Sequence, residues 1–209
     1  MDEEERNLLV ELEARNTRLT EVGPRAFEKI SYRESTSCFV AVAERKEKGL
    51  QAISSGDAPL FLVVDAVEKP GNLGAMFRTA DAAGATGLII SDPRTDVFNP
   101  NVIRSSLGTV FTVRLAVAGA AETIAWLGER GISIITSTPH GAIPYTEADL
   151  GSPCAIVVGS EELGAGETWI AASDCKVRIP MKGAADSLNV SAAAAVLLYE
   201  ALRQRSSRG

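Results

Sequence analysis

The amino-acid sequence predicts an α/β protein built on a mostly parallel sheet with helices covering both faces. Two observations carry that expectation. From Leu60 onward, apolar runs of strand length alternate with longer helical segments, and the polar and glycine-containing stretches that look chemically specialised all follow the carboxyl ends of those strands. The chain is 209 residues long and 45% hydrophobic, enough for one cored domain plus an appendage.

The first fifty residues read differently from the rest. Leu8, Leu9 and Leu12 lie at helical spacing within residues 3–15, Pro24 suits the first position of a second helix, and Cys38 to Ala43 has the look of a short strand. Residues 1–52 are therefore expected to form a short α+β region, and residues 53–59, which include Ser-Ser-Gly-Asp-Ala-Pro, a linker. The main domain spans 60–209. Its predicted order is strand 60–66, helix 72–84, strand 87–91, helix 99–107, strand 110–117, helix 119–130 and strand 132–137. Strand 154–159, helix 165–172, strand 175–181 and helix 187–204 complete it. In the last stretch Pro180 removes a donor where the strand stops, Gly183 permits a turn, and Ser187 or Asn189 can cap the final helix. No internal repeat is evident.

Charge and composition exclude several classes. A net charge of −6 argues against non-specific coating of nucleic acid, although acid concentrates at the N-terminus (Asp2 to Glu5, Glu11, Glu13) while Arg78, Arg94, Arg104, Arg114, Lys176, Arg178 and Lys182 cluster near the specialised segments. The longest apolar runs fall far short of the roughly 20 residues of a bilayer span. Three cysteines without a CxxC spacing suit a reducing compartment, so a soluble, cytoplasmic protein with buried, inert thiols is expected. His140 is the only histidine, which excludes metal sites or triads built on several, and it reads as a loop residue. Trp126 and Trp169 fall on helices and are better explained by packing than by base stacking.

Open parallel sheets bind ligands beyond their strands' carboxyl ends. Asn72 and Gly74 follow the first strand, Ser137 and Thr138 close the fourth, Gly159 and Glu161 the fifth, and Ile179 and Met181 the sixth. The first turn, Lys69-Pro-Gly-Asn-Leu-Gly74, lacks the Gly-x-Gly-x-x-Gly of a dinucleotide fold, and no phosphate-binding Gly-x-x-x-x-Gly-Lys-Ser/Thr is present. A dehydrogenase or P-loop enzyme is thereby disfavoured.

Three segments in order, Asn72-Leu-Gly-Ala-Met-Phe-Arg78, Val158-Gly-Ser-Glu161-Glu-Leu-Gly164 and Arg178-Ile-Pro-Met-Lys-Gly-Ala-Ala-Asp-Ser-Leu-Asn-Val-Ser191, resemble the signatures of the SpoU (TrmH-like) RNA 2'-O-ribose methyltransferases of the SPOUT superfamily. The resemblance covers roughly residues 60–205. It implies an α/β knot with a C-terminal trefoil, S-adenosylmethionine as methyl donor, RNA (ribosomal rather than transfer RNA) as substrate, and a homodimer without metal or membrane association. It further implies that Arg78 is the principal catalytic residue and that Asn72, Glu161, Ser187 and Asn189 lie about the reacting ribose. Ser137, Thr138, Gly159, Ile179, Met181 and Leu188 would then hold the donor. Turn, cap and core roles remain the alternatives for Asn72, Glu161, Ser187, Asn189 and Met181, and a surface helix position for Arg78 and Arg104. Residues 16–43 look like the end of an L30e-like RNA-binding domain, implying a shortened module with weak RNA affinity. A transfer-RNA methyltransferase and a non-catalytic knot-fold RNA- or protein-binding module are the alternative functions.

Overall fold

The computed structural model describes residues 1–31, 38–45, 49–54, 56–160 and 163–208, and the chain divides into two compact units, Met1–Arg45 and Lys46–Gly209. In the first unit, helix α1 (Glu3–Ala14) opens with a reciprocal cap: Asp2 Oδ1 accepts from the Glu5 backbone N–H and Glu5 Oε2 from that of Asp2, each at 2.8 Å. Helix α2 (Pro24–Ile30) begins at the expected proline. Residues 38–43 form no strand. Val42 is 98% exposed, and no strand among the described residues offers it a ladder.

The second unit holds a seven-stranded sheet in the order β3-β2-β1-β6-β4-β7-β5, every neighbouring pair parallel. The strands are β1 (Leu60–Asp65), β2 (Gly87–Ser91), β3 (Leu115–Ala118), β4 (Ser133–Ser137), β5 (Ile143–Pro144), β6 (Cys154–Val158) and β7 (Cys175–Arg178). Each residue of β1, β2 and β6 is buried, as continuous apolar runs require when both faces are covered. Alternate side chains feed two cores. Leu60, Leu62 and Val64 pack with Met76 and Phe77 of α3 (Pro70–Ala82) and with Leu197 and Leu198 of α8 (Val190–Ser206). Phe61 and Val63 meet Trp126 of α6 (Ala120–Gly128) and Trp169 of α7 (Glu167–Ala172). Leu50 and Ile53 join that second core, so ordered packing begins ahead of the sheet.

The tryptophans are packing residues, as expected. Trp126 meets Phe61 edge-on at 5.5 Å, and the fully buried Trp169 donates its indole N–H to Ser91 Oγ at 3.2 Å.

Some boundaries shift for identifiable reasons. Helix α3 starts two residues early, at Pro70. The predicted strand 110–117 is half helix: α4 (Pro100–Ser105) ends, Leu107 and Gly108 take left-handed φ values of 51° and 87°, and α5 (Thr109–Thr112) follows, leaving only Leu115–Ala118 to β3. β7 stops at Arg178, before Pro180, and the two-residue β5, which was not foreseen, covers its edge. α8 begins at Val190 rather than at 187. Its cap is Asn189, whose side chain accepts from the Ser191 N–H. Gly183 has no left-handed φ, so no special turn depends on it. Among the described residues no helix is long and apolar enough to cross a membrane.

Candidate active site

At the carboxyl ends of β4, β6 and β7 lies a cleft of about 590 Å³. Its walls include Ser137, Thr138, Gly159, Ile179, Met181 and Leu188, together with Ser187, so every residue expected to hold a donor faces one cavity. That volume falls in the range of small-molecule and cofactor sites.

Each wall is fixed by backbone packing. After β6 the chain turns back on itself: Ser160 and Gly164 exchange both backbone hydrogen bonds at 3.0 Å, and Ser160 Oγ accepts from the Leu163 N–H at 3.1 Å. The return leg lies so close to Gly159 that a Cβ there would run into the Gly164 carbonyl and the Ala165 nitrogen. Glu161 belongs to this loop in sequence but lies outside the described residues. A second wall is the turn from Thr138 to Ala142. Thr138 N–H donates to the Val177 carbonyl at 2.9 Å, and the Arg178 guanidinium donates to the carbonyls of Gly141 and Ala142 at 2.7 and 2.8 Å. Arg178, counted by sequence among the basic residues near the site, thus spends its hydrogen bonds on the scaffold. His140 sits in this turn, a loop residue as expected, and also lines the cleft.

The third wall is the segment from Ile179 to Leu188, which ends in the capped start of α8. Here the cleft meets the first signature segment. Asn189 Nδ2 donates to Asn72 Oδ1 at 3.2 Å, and Asn72 occupies the first turn of α3. Gly74, one residue beyond Leu73, permits α3 and α4 to touch, since a Cβ there would collide with the Ser105 side chain. The glycine of the Asn-x-Gly pattern therefore has a packing reason. Arg78 follows one turn later, exposed and with no carboxylate partner among the described residues. Asn72, Arg78 and Asn189 stand outside the cleft lining, and Asn189 is the link between the two regions. Arg104 is exposed on α4.

Sequence reasoning missed the contributions of Gly164, Ala165 and Lys176 to the lining. The second glycine of Gly159-Ser-Glu-Glu-Leu-Gly164 was the available signal, because a short glycine-bounded loop implies a close return. Burial pushes the thiols of Cys154 and Cys175 above their ordinary pKa, keeping both protonated. Among the described residues no group of His, Cys, Asp and Glu is arranged to hold a metal ion. A backbone-lined cleft with apolar walls suits a nucleoside-like ligand, with the protein positioning it.

Comparison with known proteins shows what the chain is similar to. The family model described as SpoU rRNA Methylase matches residues 59–199. The chain is similar to a 23S rRNA (uridine(2479)-2'-O)-methyltransferase of Streptomyces viridochromogenes, 36% identical over 80% of this chain and 61% of that protein. It is also similar to a 23S rRNA (guanosine-2'-O-)-methyltransferase of Pseudomonas syringae, 39% identical over 72% of this chain and 60% of that one. It thus spans about three fifths of the length of these two curated relatives. The crystal structure of an AdoMet-bound rRNA methyltransferase from Sinorhizobium meliloti superposes with a TM-score of 0.87 at 30% identity, covering 95% of this chain and 76% of that one.

Proposed function

The chain belongs to the SpoU rRNA methylase family, and from that premise we propose that it transfers a methyl group from S-adenosylmethionine to a ribose 2'-hydroxyl of structured RNA, with ribosomal RNA as the substrate class. The observation that carries this reading is the single cleft lined by all six expected donor residues and tied to Asn72 through Asn189. The residues fit the donor: the cleft has the volume for it, and the tight return at Gly159 leaves main-chain groups rather than side chains against an adenosine. Bound there, the donor supplies an electrophilic methyl on a positively charged sulfur.

The chain's own work is positioning. Gly159, Ile179, Met181 and Leu188 grip the adenosine, Ser137 and Thr138 close its side, and Ser187 stands between cleft and acceptor. Asn72, Asn189 and Glu161 orient the ribose. Arg78 clamps a substrate phosphate with its forked guanidinium, and the hydroxyl proton passes late to phosphate or solvent. The same reading makes α8 the helix of a trefoil knot and the active form a cytoplasmic homodimer. The exposed Tyr199 on α8 supports the dimer. Residues 1–52 are then an L30e-like region that contributes to RNA binding.

Calorimetry with S-adenosylmethionine, followed by tritium transfer to separated ribosomal and transfer RNA, tests the assignment. Donor binding and labelled ribosomal RNA are expected; label confined to transfer RNA would change the substrate class. A folded protein that binds no donor at millimolar concentration would leave a non-catalytic binding module as the better reading. Light scattering should report twice the 22.0 kDa chain mass.

A further inference from the structure

Asp65, the last residue of β1, is buried to 5% exposure, yet among the described residues no lysine or arginine pairs with it. A buried carboxylate without a counter-ion is costly, and an apolar side chain would suit the end of an otherwise apolar strand better. What it holds is backbone. Asp65 Oδ2 accepts the N–H of Gly166 at 2.8 Å, a charge-assisted bond between positions 101 residues apart. Gly166 is the residue at which the return leg of the Gly159–Gly164 loop ends and α7 begins.

We propose that Asp65 is a positioning residue for the donor site, fixing the wall formed by Gly164 and Ala165 through its bond to Gly166; the inference rests on the methyltransferase reading of the cleft. The remainder of α7 is anchored independently. Trp169 is fully buried with its indole on Ser91, and Ser173 Oγ bonds Thr136 Oγ1 at 2.5 Å and the Trp169 carbonyl at 2.7 Å. Among the described residues the segment 164–166 is also held by the Ser160–Gly164 pairing, by Ala165 packing on the second core and by the Gly166 carbonyl, which accepts from the Trp169 and Ile170 N–H groups, and the Asp65 carboxylate adds a side-chain bond from β1. On the other side of Asp65, Ala66 adopts a left-handed φ of 50° and donates its N–H to the Ser91 carbonyl at 3.0 Å, which sets the exit of the chain toward α3. One residue therefore stands between the loop that shapes the donor wall and the helix that carries Asn72 and Arg78.

The test uses the full chain with Asp65→Asn, whose amide oxygen can still accept from Gly166, and Asp65→Leu, which branches at Cγ as aspartate does, is larger, and has no acceptor. Two readouts are taken: amide hydrogen exchange over residues 163–167 in the free protein, and S-adenosylmethionine affinity by calorimetry. In the Leu variant exchange should accelerate at least tenfold and donor affinity fall at least tenfold, while the Asn variant stays within about threefold on both. Unchanged exchange and affinity in Asp65→Leu would overturn the proposal, as would equal losses in both variants. If the wild-type chain binds no donor yet exchange accelerates in Leu and not in Asn, the positioning of the loop by Asp65 stands and the donor reading of the cleft fails.

Discussion

Asn189 and Asn72, 117 residues apart in the chain, are joined by a 3.2 Å hydrogen bond that brings the N-cap of α8 against the first turn of α3. Asn189 carries two duties at once, since its oxygen also accepts from the Ser191 N–H and hydroxyl. Substitution separates them. Aspartate is an equally good cap but lacks the amide donor. Asn189→Asp should keep the thermal midpoint within about 1 °C, a change of a few tenths of a kcal/mol, while methyl transfer falls at least tenfold. Asn189→Ala should lose both, the cap being worth about 1 kcal/mol.

Arg78 is exposed and without a carboxylate partner among the described residues, so no ion pair among them depends on its charge. Arg78→Ala is expected to leave stability and donor affinity intact and to lower methyl transfer at least a hundredfold, about 2.7 kcal/mol in the barrier. Arg78→Lys should rescue little of this, because an ammonium cannot reproduce a two-pronged phosphate contact. Single-turnover assays with saturating donor would measure it.

Gly159→Ala drives a methyl group into the backbone of Gly164 and Ala165, where no flexible side chain can yield. It should destabilise the protein by about 1–3 kcal/mol and abolish measurable donor binding. Gly183→Ala, with open space around it, should be silent in both calorimetry and thermal melts.

Arg205 gathers four carbonyls from two distant segments: Leu150 at 3.1 Å, Ser152 at 2.7 Å, Ala58 at 2.6 Å and Pro59 at 3.1 Å. Removing it takes a charged donor from all four, and of these the Pro59 carbonyl keeps the Cys154 N–H. Arg205→Ala should cost about 3 kcal/mol, the upper end for hydrogen bonds to a charged group, and Arg205→Lys should recover only part. Urea denaturation decides it, with donor affinity at low temperature as the unaffected control.

Glu200 is held below the usual carboxylate range, chiefly by the Arg203 guanidinium at 2.7 and 2.8 Å and further by Gln204. A carboxyl whose folded pKa is depressed stabilises fully above its unfolded pKa, and the benefit fades as pH falls through the folded value. The stability gap between wild type and Glu200→Gln should therefore be constant near neutrality and close below about pH 4.3, as unfolding midpoints across pH would register.

How much of this could be read in advance depended on distance along the chain. Runs such as Leu60–Val64 announce a buried strand by themselves, and the six cleft-lining residues from Ser137 to Leu188 were legible through the family resemblance of the segments that carry them. The segment Thr109-Val-Phe-Thr112 favours strand locally and became helix because the left-handed pair Leu107 and Gly108 starts a new turn there, and Val110 is buried in the core shared with α3. The bonds of Asn189 to Asn72 and of Asp65 to Gly166 leave no local pattern, since each joins segments separated by more than a hundred residues. Gly74 was visible as a motif letter, but its contact with Ser105 required the helix pair.

The position of β6 in the sheet also governs how the protein comes into being. β1 pairs on one side with β2, close in sequence, and on the other with β6, so that Leu60 waits for Cys154. During synthesis the β3-β2-β1 half can assemble early while β1 offers an unpaired edge, apolar from Leu60 to Val64, to its surroundings. Closure of that edge requires pairing between remote segments, which is slow. The nascent chain is thus most exposed to misassociation before its second half emerges.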